Sequence, residues 1–128
     1  AKNVEKAYLA WDGIRDRYMD IDSVAKKATF ELAHILSDRE NFNEAQHEYR
    51  AFYKTWPDSP DAEKAMFSRG FILNENLHKD DEALKVFEEF KKLYPKSDLN
   101  ESVDWLVQNI KSNGKLADDL MKKIEAEE

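Results

Sequence analysis

Histidine and carboxylate side chains are the groups in this sequence that could bind a metal ion or transfer a proton. The three histidines are His34, His47 and His78. Two histidines four residues apart on a helix could share one zinc ion, but no two of these have that spacing and no His-Glu-x-x-His motif is present. We therefore interpret them as surface histidines and predict no metal site.

Carboxylates are abundant but show no catalytic pattern. Residues 74–82 carry several oxygen ligands, yet they lack the central glycine and the spacing of a calcium-binding loop, so we interpret them as a solvated turn. The 27 Asp and Glu residues are spread along the chain, and no pair is singled out for acid–base catalysis. Cysteine is absent, as is a glycine-rich phosphate loop. The sequence predicts no catalytic residue and no cofactor, and we expect the protein not to be an enzyme.

The composition indicates one acidic, helical domain. A length of 128 residues fits a single domain, and 41% hydrophobic residues permit a core. Only 3 Gly and 3 Pro are present, which favours long helices. The net charge of −7 repels phosphate backbones, so nucleic acid is not an expected partner. No apolar run approaches the ~20 residues of a membrane span. The chain begins at Ala1 without Met, and we expect it to be a piece of a longer protein.

An internal repeat organises the chain. Residues 43–59 match residues 81–97 with a constant separation of 38 residues. The matched pairs are Ala45 and Ala83, Tyr49 and Phe87, Phe52 and Phe90, Trp56 and Tyr94, Pro57 and Pro95, and Ser59 and Ser97. The segments before them match with a separation of 37 residues, through Ala28 and Ala65, Phe30 and Phe67, Ala33 and Gly70, and Leu36 and Leu73. The one-residue difference falls in the turns, residues 39–42 and 77–80.

The spacing of apolar residues is helical throughout. It predicts an all-α fold of about seven helices at residues 3–18, 23–37, 42–55, 60–76, 80–93, 99–112 and 115–126. We expect Ser59 to cap the fourth helix with Pro60 at its first position, and Ser97 or Asp98 to cap the sixth. Small residues at Ala33 and Gly70 are expected to let the paired helices approach closely.

This pattern resembles the tetratricopeptide repeat (TPR) family. That family has a small residue in the first helix of a pair, Ala and an aromatic residue in the second, and Pro at the end. The residues that carry the resemblance are Leu32, Ala33, Leu36, Ala45, Tyr49 and Pro57 in one repeat, and Gly70, Leu73, Ala83, Phe87 and Pro95 in the next. The resemblance implies a right-handed superhelix in one domain, residues 1–128, with a partial unit at 3–18, repeats at 23–55 and 60–93, and a closing hairpin at 99–126.

The links between repeats are longer than in most TPRs. An aromatic-Pro-x-Ser sequence occurs at residues 56–59 and 94–97. It is similar to the links of bacterial envelope TPR proteins, such as the periplasmic component of the Tol-Pal system and lipoproteins of outer-membrane protein assembly. This similarity implies a location in the periplasm or cell envelope, with the cytoplasm as the alternative.

The family resemblance also implies where a protein or peptide partner would bind. In TPR proteins the first helix of each pair lines a concave groove. Carried onto this chain, the groove residues are Lys27, Phe30, His34, Lys64, Phe67, Phe71, Asn74, Trp105 and Asn109. The alternative is that the aromatic members of this set belong to the core. Phe71 is the exception. We expect it to be exposed, because its counterpart in the first repeat is the polar His34. The chaperone-type carboxylate clamp does not match these positions, so that ligand is not expected.

The first helix suggests a second interaction mode. Residues 3–18 match the second helix of a repeat whose first helix is missing. This arrangement would expose Tyr8, Trp11 and Ile14 unless upstream repeats or another copy of the chain cover them. One alternative to a partner-binding scaffold is therefore a structural self-association module. The other alternative is an accessory region of a larger enzyme.

Overall fold

Seven helices account for most of the computed structural model, which describes residues 2–113 and 115–127. In chain order they are α1 (Lys2–Arg17), α2 (Asp22–Asp38), α3 (Phe42–Thr55), α4 (Ala62–Glu75), α5 (Asp80–Leu93), α6 (Asn100–Lys111) and α7 (Lys115–Glu127). No strand occurs in the described residues. The predicted all-α class is confirmed. Within those same residues, no helix is both long and apolar enough to cross a bilayer.

Consecutive helices pack against each other along the chain. Every extensively packed helix pair among the described residues is also adjacent in sequence. This is the packing expected of a helical-repeat protein, in which each unit buries its apolar face mainly against its neighbours. Since α2 and α4 each pack on α3, and not extensively on each other, a groove is left between them.

The core is built from the repeated apolar stripe. Ala45, Tyr49 and Phe52 lie on one face of α3, and all three are buried. Their counterparts on α5, Ala83, Phe87 and Phe90, are completely inaccessible to solvent. The small residues Ala33 of α2 and Gly70 of α4 are also buried. The Phe87 ring packs directly against Gly70 of α4, which explains why a residue without a side chain occupies this point of closest approach.

The caps predicted for the fourth and sixth helices are not the ones that the structure shows. Helix α4 begins at Ala62, not at Pro60, and α6 begins at Asn100, with Leu99 in place of Ser97 or Asp98 as the residue before it. Ser59 and Ser97 instead close a tight turn ahead of each helix. Ser59 Oγ accepts a hydrogen bond from the Asp61 N–H (3.3 Å), and Ser97 Oγ accepts one from the Leu99 N–H (3.1 Å).

The turn after each first helix contains the one-residue difference between the repeats. The Leu36 carbonyl accepts a hydrogen bond from the N–H of Asn41, five residues later. The equivalent carbonyl of Leu73 accepts one from Lys79, six residues later. The same hydrogen bond is therefore kept around a longer loop. Both turns contain a residue with left-handed backbone, Glu40 (φ 62°) after α2 and His78 (φ 54°) after α4.

Candidate partner-binding groove

A depression of about 290 Å³ lies between α2 and α4. Its floor is Tyr49 of α3, and its sides come from the two first helices. The lining residues are His34, Ser37, Tyr49, Phe67, Ser68, Phe71 and Ile72. Three of the predicted groove residues, His34, Phe67 and Phe71, thus meet in one pocket.

The polar side of this pocket is organised around the Tyr49 hydroxyl. Tyr49 Oη and His34 Nδ1 are 2.9 Å apart, so a hydrogen bond joins α3 to α2. The pKa of Tyr49 is raised to about 12, chiefly by burial. A hydrogen bond with Ser68 lowers this pKa, and the nearby charges of Asp38 and Glu31 contribute to its rise. The phenol therefore stays neutral at physiological pH and can donate or accept a hydrogen bond at the pocket floor.

The apolar side of the pocket is formed by Phe67 and Phe71. The half-buried Phe67 ring lies against Phe87 and Phe90, with centroid distances of 6.2 and 6.5 Å. Phe71 projects further into solvent, and 42% of its surface is exposed. Phe67 therefore belongs partly to the core, whereas Phe71 offers an open apolar surface.

The remaining aromatic members of the predicted groove divide in the same way. Phe30 is half-buried. Its ring packs edge-on against His34, with centroids 4.6 Å apart, and at a tilt against Phe52, with centroids 5.0 Å apart. Trp105 on α6 is 43% exposed. Phe30, Phe67 and Trp105 occupy equivalent positions in successive repeats, yet their exposure differs, because Phe30 and Phe67 pack on the core while Trp105 faces solvent.

The polar members of the predicted groove form local contacts. Asn74 Nδ2 donates to Asp80 Oδ1 at 2.9 Å, and Asn109 Oδ1 accepts the Ala117 N–H at 3.0 Å. Asn74 and Asn109 also line a second depression, of about 240 Å³, between α4 and α6. Its other lining residues are Glu75, His78, Asp80, Ile110 and Asn113. The pocket with one apolar side, between α2 and α4, is therefore followed by a mainly polar pocket further along the chain.

The two predicted lysines lie towards the beginnings of their helices. Lys27 Nζ sits 5.9 Å from the centre of the Trp11 ring. Lys64 Nζ lies 4.0 Å from Asp61 Oδ1, and both side chains are well exposed. Neither lysine lines the pocket between α2 and α4.

The predicted self-association residues are less exposed than the sequence suggested. Tyr8, Trp11 and Ile14 are all half-buried, because α1 packs against α2. The Arg39 guanidinium lies 4.7 Å from the centre of the Tyr8 ring and forms an ion pair with Glu5 at 3.2 Å. The prominent apolar residue of this helix is Leu9, which is 62% exposed and was not singled out.

Sequence reasoning also missed several pocket residues. Tyr49 was assigned to the core, and Ser68 and Ile72 were not assigned to the pocket. A signal for Tyr49 was present, because His34 and Tyr49 are both polar whereas their counterparts Phe71 and Phe87 are both apolar. Such a paired change indicates side chains that contact each other.

A larger depression, of about 530 Å³, lies where α1, α2 and α3 meet. Trp56 Nε1–H donates to Asp22 Oδ1 at 2.7 Å in its wall, and Asp12 and Asp16 also line it. These carboxylates are not arranged to bind a metal ion, since no group of three or more potential ligands comes together in the described part of the chain.

Comparison with known proteins adds no assignment to this geometry: no protein-family model and no curated protein matches the chain.

Proposed function

We propose that this protein is a non-catalytic scaffold of the TPR type, and that it binds a peptide or a protein segment in the groove between α2 and α4. The observation that carries the proposal is the pocket with a polar floor and an apolar side. A right-handed superhelix is the arrangement that the family resemblance implies for these stacked hairpins. Pockets of this kind hold one anchoring side chain of a partner and fix its orientation.

The pocket chemistry favours a partner side chain with an apolar body and a polar end. Phe71 and Phe67 provide the apolar contact, and the Tyr49 hydroxyl provides a hydrogen bond at the base. Trp105 lies at the position equivalent to Phe67 in the next repeat and would extend the contact along the partner. A tyrosine or tryptophan residue of the partner fits this description.

The aromatic-Pro-x-Ser links support a role in bacterial envelope assembly, and we place the protein in the periplasm or cell envelope. The parent gene tests this placement directly. We expect it to encode a signal sequence ahead of this chain, and a parent gene without one would contradict the location but leave the groove proposal intact.

The groove can be tested with a peptide library and a local spectroscopic probe. Peptides selected for binding to the folded protein would be titrated while the imidazole resonances of the three histidines are followed by NMR. We expect the His34 resonances to shift, since His34 lines the pocket, and those of His47 on α3 to stay unchanged. Shifts confined to His47 would place binding elsewhere and contradict the proposal.

A pair of matched variants provides the control. Phe71→Ser removes the exposed apolar wall and should weaken binding about tenfold or more, the loss expected of an interface anchor. Leu93→Ser changes a more exposed apolar residue at the end of α5, outside the pocket, and should leave binding unchanged. Equal effects of both variants would indicate nonspecific hydrophobic binding and would contradict a groove-specific site.

A further inference from the structure

The depression where α1, α2 and α3 meet carries an excess of negative charge, and we call it the acidic pocket. The charged members of its lining are Asp12, Arg15, Asp16 and Asp22. Three carboxylates and one guanidinium give the lining a formal charge of −2, since its other members are uncharged. The acidic pocket shares no lining residue with the groove between α2 and α4, so the two sites can be tested separately.

The single cation of this lining is already paired with a carboxylate outside it. Arg15 Nη1 lies 2.6 Å from Oε2 of Glu48, which belongs to α3 and does not line the pocket. Its other contact, between Nη2 and Asp12 Oδ1, is long at 3.8 Å. Asp16 has no ionic partner among the residues that the structure describes. The negative charge of the pocket is therefore not compensated from within the protein.

The same place in the next repeat is filled by core side chains. Thr29 of α2 corresponds to Met66 of α4, 37 residues later, and Arg15 of α1 corresponds to Tyr53 of α3, 38 residues later. Met66 is completely buried, and Tyr53 is only 4% exposed. In the acidic pocket a smaller residue replaces the methionine, and the arginine extends to Glu48 instead of filling the space. This exchange accounts for a depression of about 530 Å³.

The charges on the α1 wall of the pocket are also opposite to those of the next repeat. Asp12 and Asp16 correspond to Arg50 and Lys54 of α3, again with a separation of 38 residues. The repeat pattern by itself therefore does not require carboxylates at these positions. Their presence beside an open depression gives that depression a chemical preference for cations.

A buried hydroxyl also lines the pocket. Thr29 is only 5% exposed, and its side chain forms no hydrogen bond to any residue that the structure describes. Most buried polar groups do have a partner, because an unsatisfied one destabilises the protein. The half-buried Trp56 ring lines the same pocket, and its Nε1–H donates to Asp22 Oδ1 at 2.7 Å, which fixes the ring. The pocket thus combines free carboxylates, an unused acceptor and an aromatic ring.

We propose that the acidic pocket binds an alkylammonium group. Asp16 and Asp12 neutralise its charge, the Thr29 hydroxyl accepts one of its N–H bonds, and the Trp56 ring attracts the cation through its π-electrons. Met19, which is 70% exposed at the rim, contacts the methylene chain. A metal ion fits less well, because no set of three or more potential ligands comes together in the described residues. Lysine side chains and free aliphatic amines both carry the proposed group.

NMR spectroscopy of the indole N–H groups tests the proposal, because Trp56 is the tryptophan that lines the pocket. Butylamine is titrated into the folded protein at constant pH and low ionic strength, and butanol serves as the neutral control. We expect the Trp56 resonance to shift saturably with butylamine, and this binding to weaken as salt rises. The resonance of Trp105, on α6, should stay unchanged. An unchanged Trp56 resonance, or an equal shift with butanol, would overturn the proposal.

Three variants locate the binding. Thr29→Met introduces the residue of the next repeat, which should fill the pocket and abolish the shift while the protein stays folded. Asp16→Asn removes the exposed carboxylate that lacks an ionic partner, and should weaken binding about tenfold. Asp118→Asn makes the same change of net charge at an exposed position of α7, outside the pocket, and should leave binding unchanged. Retained binding by Thr29→Met, or equal weakening by both asparagine variants, would overturn the site.

Two larger molecules distinguish the sources of the alkylammonium group. Acetyl-lysine methylamide represents a lysine side chain within a polypeptide, and spermidine represents a free polyamine. Tighter binding of the lysine derivative than of butylamine and spermidine would assign the pocket to a lysine of another polypeptide. The reverse order would assign it to a free amine. Weaker binding of both molecules than of butylamine would show that the pocket excludes both natural forms of the group, and would overturn the proposal.

Discussion

Gly70 and Phe87 are in such close contact that no β-carbon fits between them. One built on Gly70 would lie 2.5 Å from Cε1 and 2.8 Å from Cζ of the Phe87 ring. Glycine weakens a helix interior, so its presence in the middle of α4 has a cost of about 1 kcal/mol relative to alanine. The close packing of α4 on α5 compensates for that cost, since it allows a fully buried aromatic ring at the centre of the second repeat.

Gly70→Ala should therefore destabilise the protein in spite of its better helix propensity. The ring of Phe87 is enclosed and cannot move away freely, so strain should exceed the gain and leave a net loss of about 1–2 kcal/mol in the free energy of unfolding. Urea denaturation measures this loss. Gly13→Ala in α1 is the matched control. No atom lies within 4 Å of the added carbon, and we expect a small gain in stability. Unchanged or higher stability of Gly70→Ala would contradict the packing account.

The hydroxyl of Tyr49 should make stability depend on alkaline pH. The folded-state pKa, about 12, lies above the ordinary tyrosine value of 10.0, because burial disfavours the phenolate. The stabilisation is thus fully present below pH 10 and is lost as pH rises from about 10 to 12, by about 2–3 kcal/mol in total. Tyr49→Phe should remove this component.

Chemical denaturation of both proteins between pH 8 and pH 12 checks this prediction. Subtracting the variant from the native curve removes the titration of the other four tyrosines, including Tyr94, whose pKa burial also raises. Tyr49→Phe should cost about 1 kcal/mol at neutral pH, where the hydrogen bond to His34 is lost. Parallel curves for the two proteins across this range would show that Tyr49 is not responsible.

The left-handed residues in the turns after α2 and α4 offer a route to higher stability. Glu40 and His78 have φ values of 62° and 54°, a conformation in which a side chain is strained and glycine is not. Each substitution to glycine relieves strain in the folded state but also increases the entropy of the unfolded chain. The net effect should be a stabilisation of the protein by about 0.5–1 kcal/mol. Thermal denaturation of Glu40→Gly and His78→Gly measures the gain. Ser37→Gly, inside α2, should instead lower the melting temperature.

Arg69 should be coupled energetically to Gln46. Its Nε–H donates to Gln46 Oε1 at 2.8 Å, and its Nη1–H donates to the Tyr53 hydroxyl at 2.9 Å. Gln46 is only 3% exposed, so Arg69→Val would leave a buried acceptor without its partner, at a cost of about 1–3 kcal/mol. A double-mutant cycle based on urea denaturation measures the coupling.

The next repeat indicates how this loss can be recovered. Leu84 and Val107 occupy the positions of Gln46 and Arg69, and both pack against the core. The variant that combines Gln46→Leu with Arg69→Val should therefore be more stable than Arg69→Val alone by about 1 kcal/mol, although Tyr53 still lacks its donor. Strict additivity of the two substitutions would show that the hydrogen bond contributes nothing specific.

The helices were predictable because their apolar residues recur with helical spacing. The predicted ranges 42–55 and 80–93 agree with α3 and α5 at both ends. The predicted start of α4, at Pro60, was wrong by two residues, since the helix begins at Ala62. Proline at position 60 is compatible with a first helical turn and also with the tight turn that Ser59 closes, and the local sequence does not distinguish these two uses.

The sequence by itself determined the all-α class, the repeat, the helix order and the need for a small residue at position 70, because all of these follow from spacing along one chain. Only the tertiary structure decided which aromatic side chains are open. Phe30, Phe67 and Trp105 share one register, yet Phe30 and Phe67 pack on the core while Trp105 is exposed. Exposure depends on what the neighbouring helices place against each ring, and that is a property of distant residues brought together by folding.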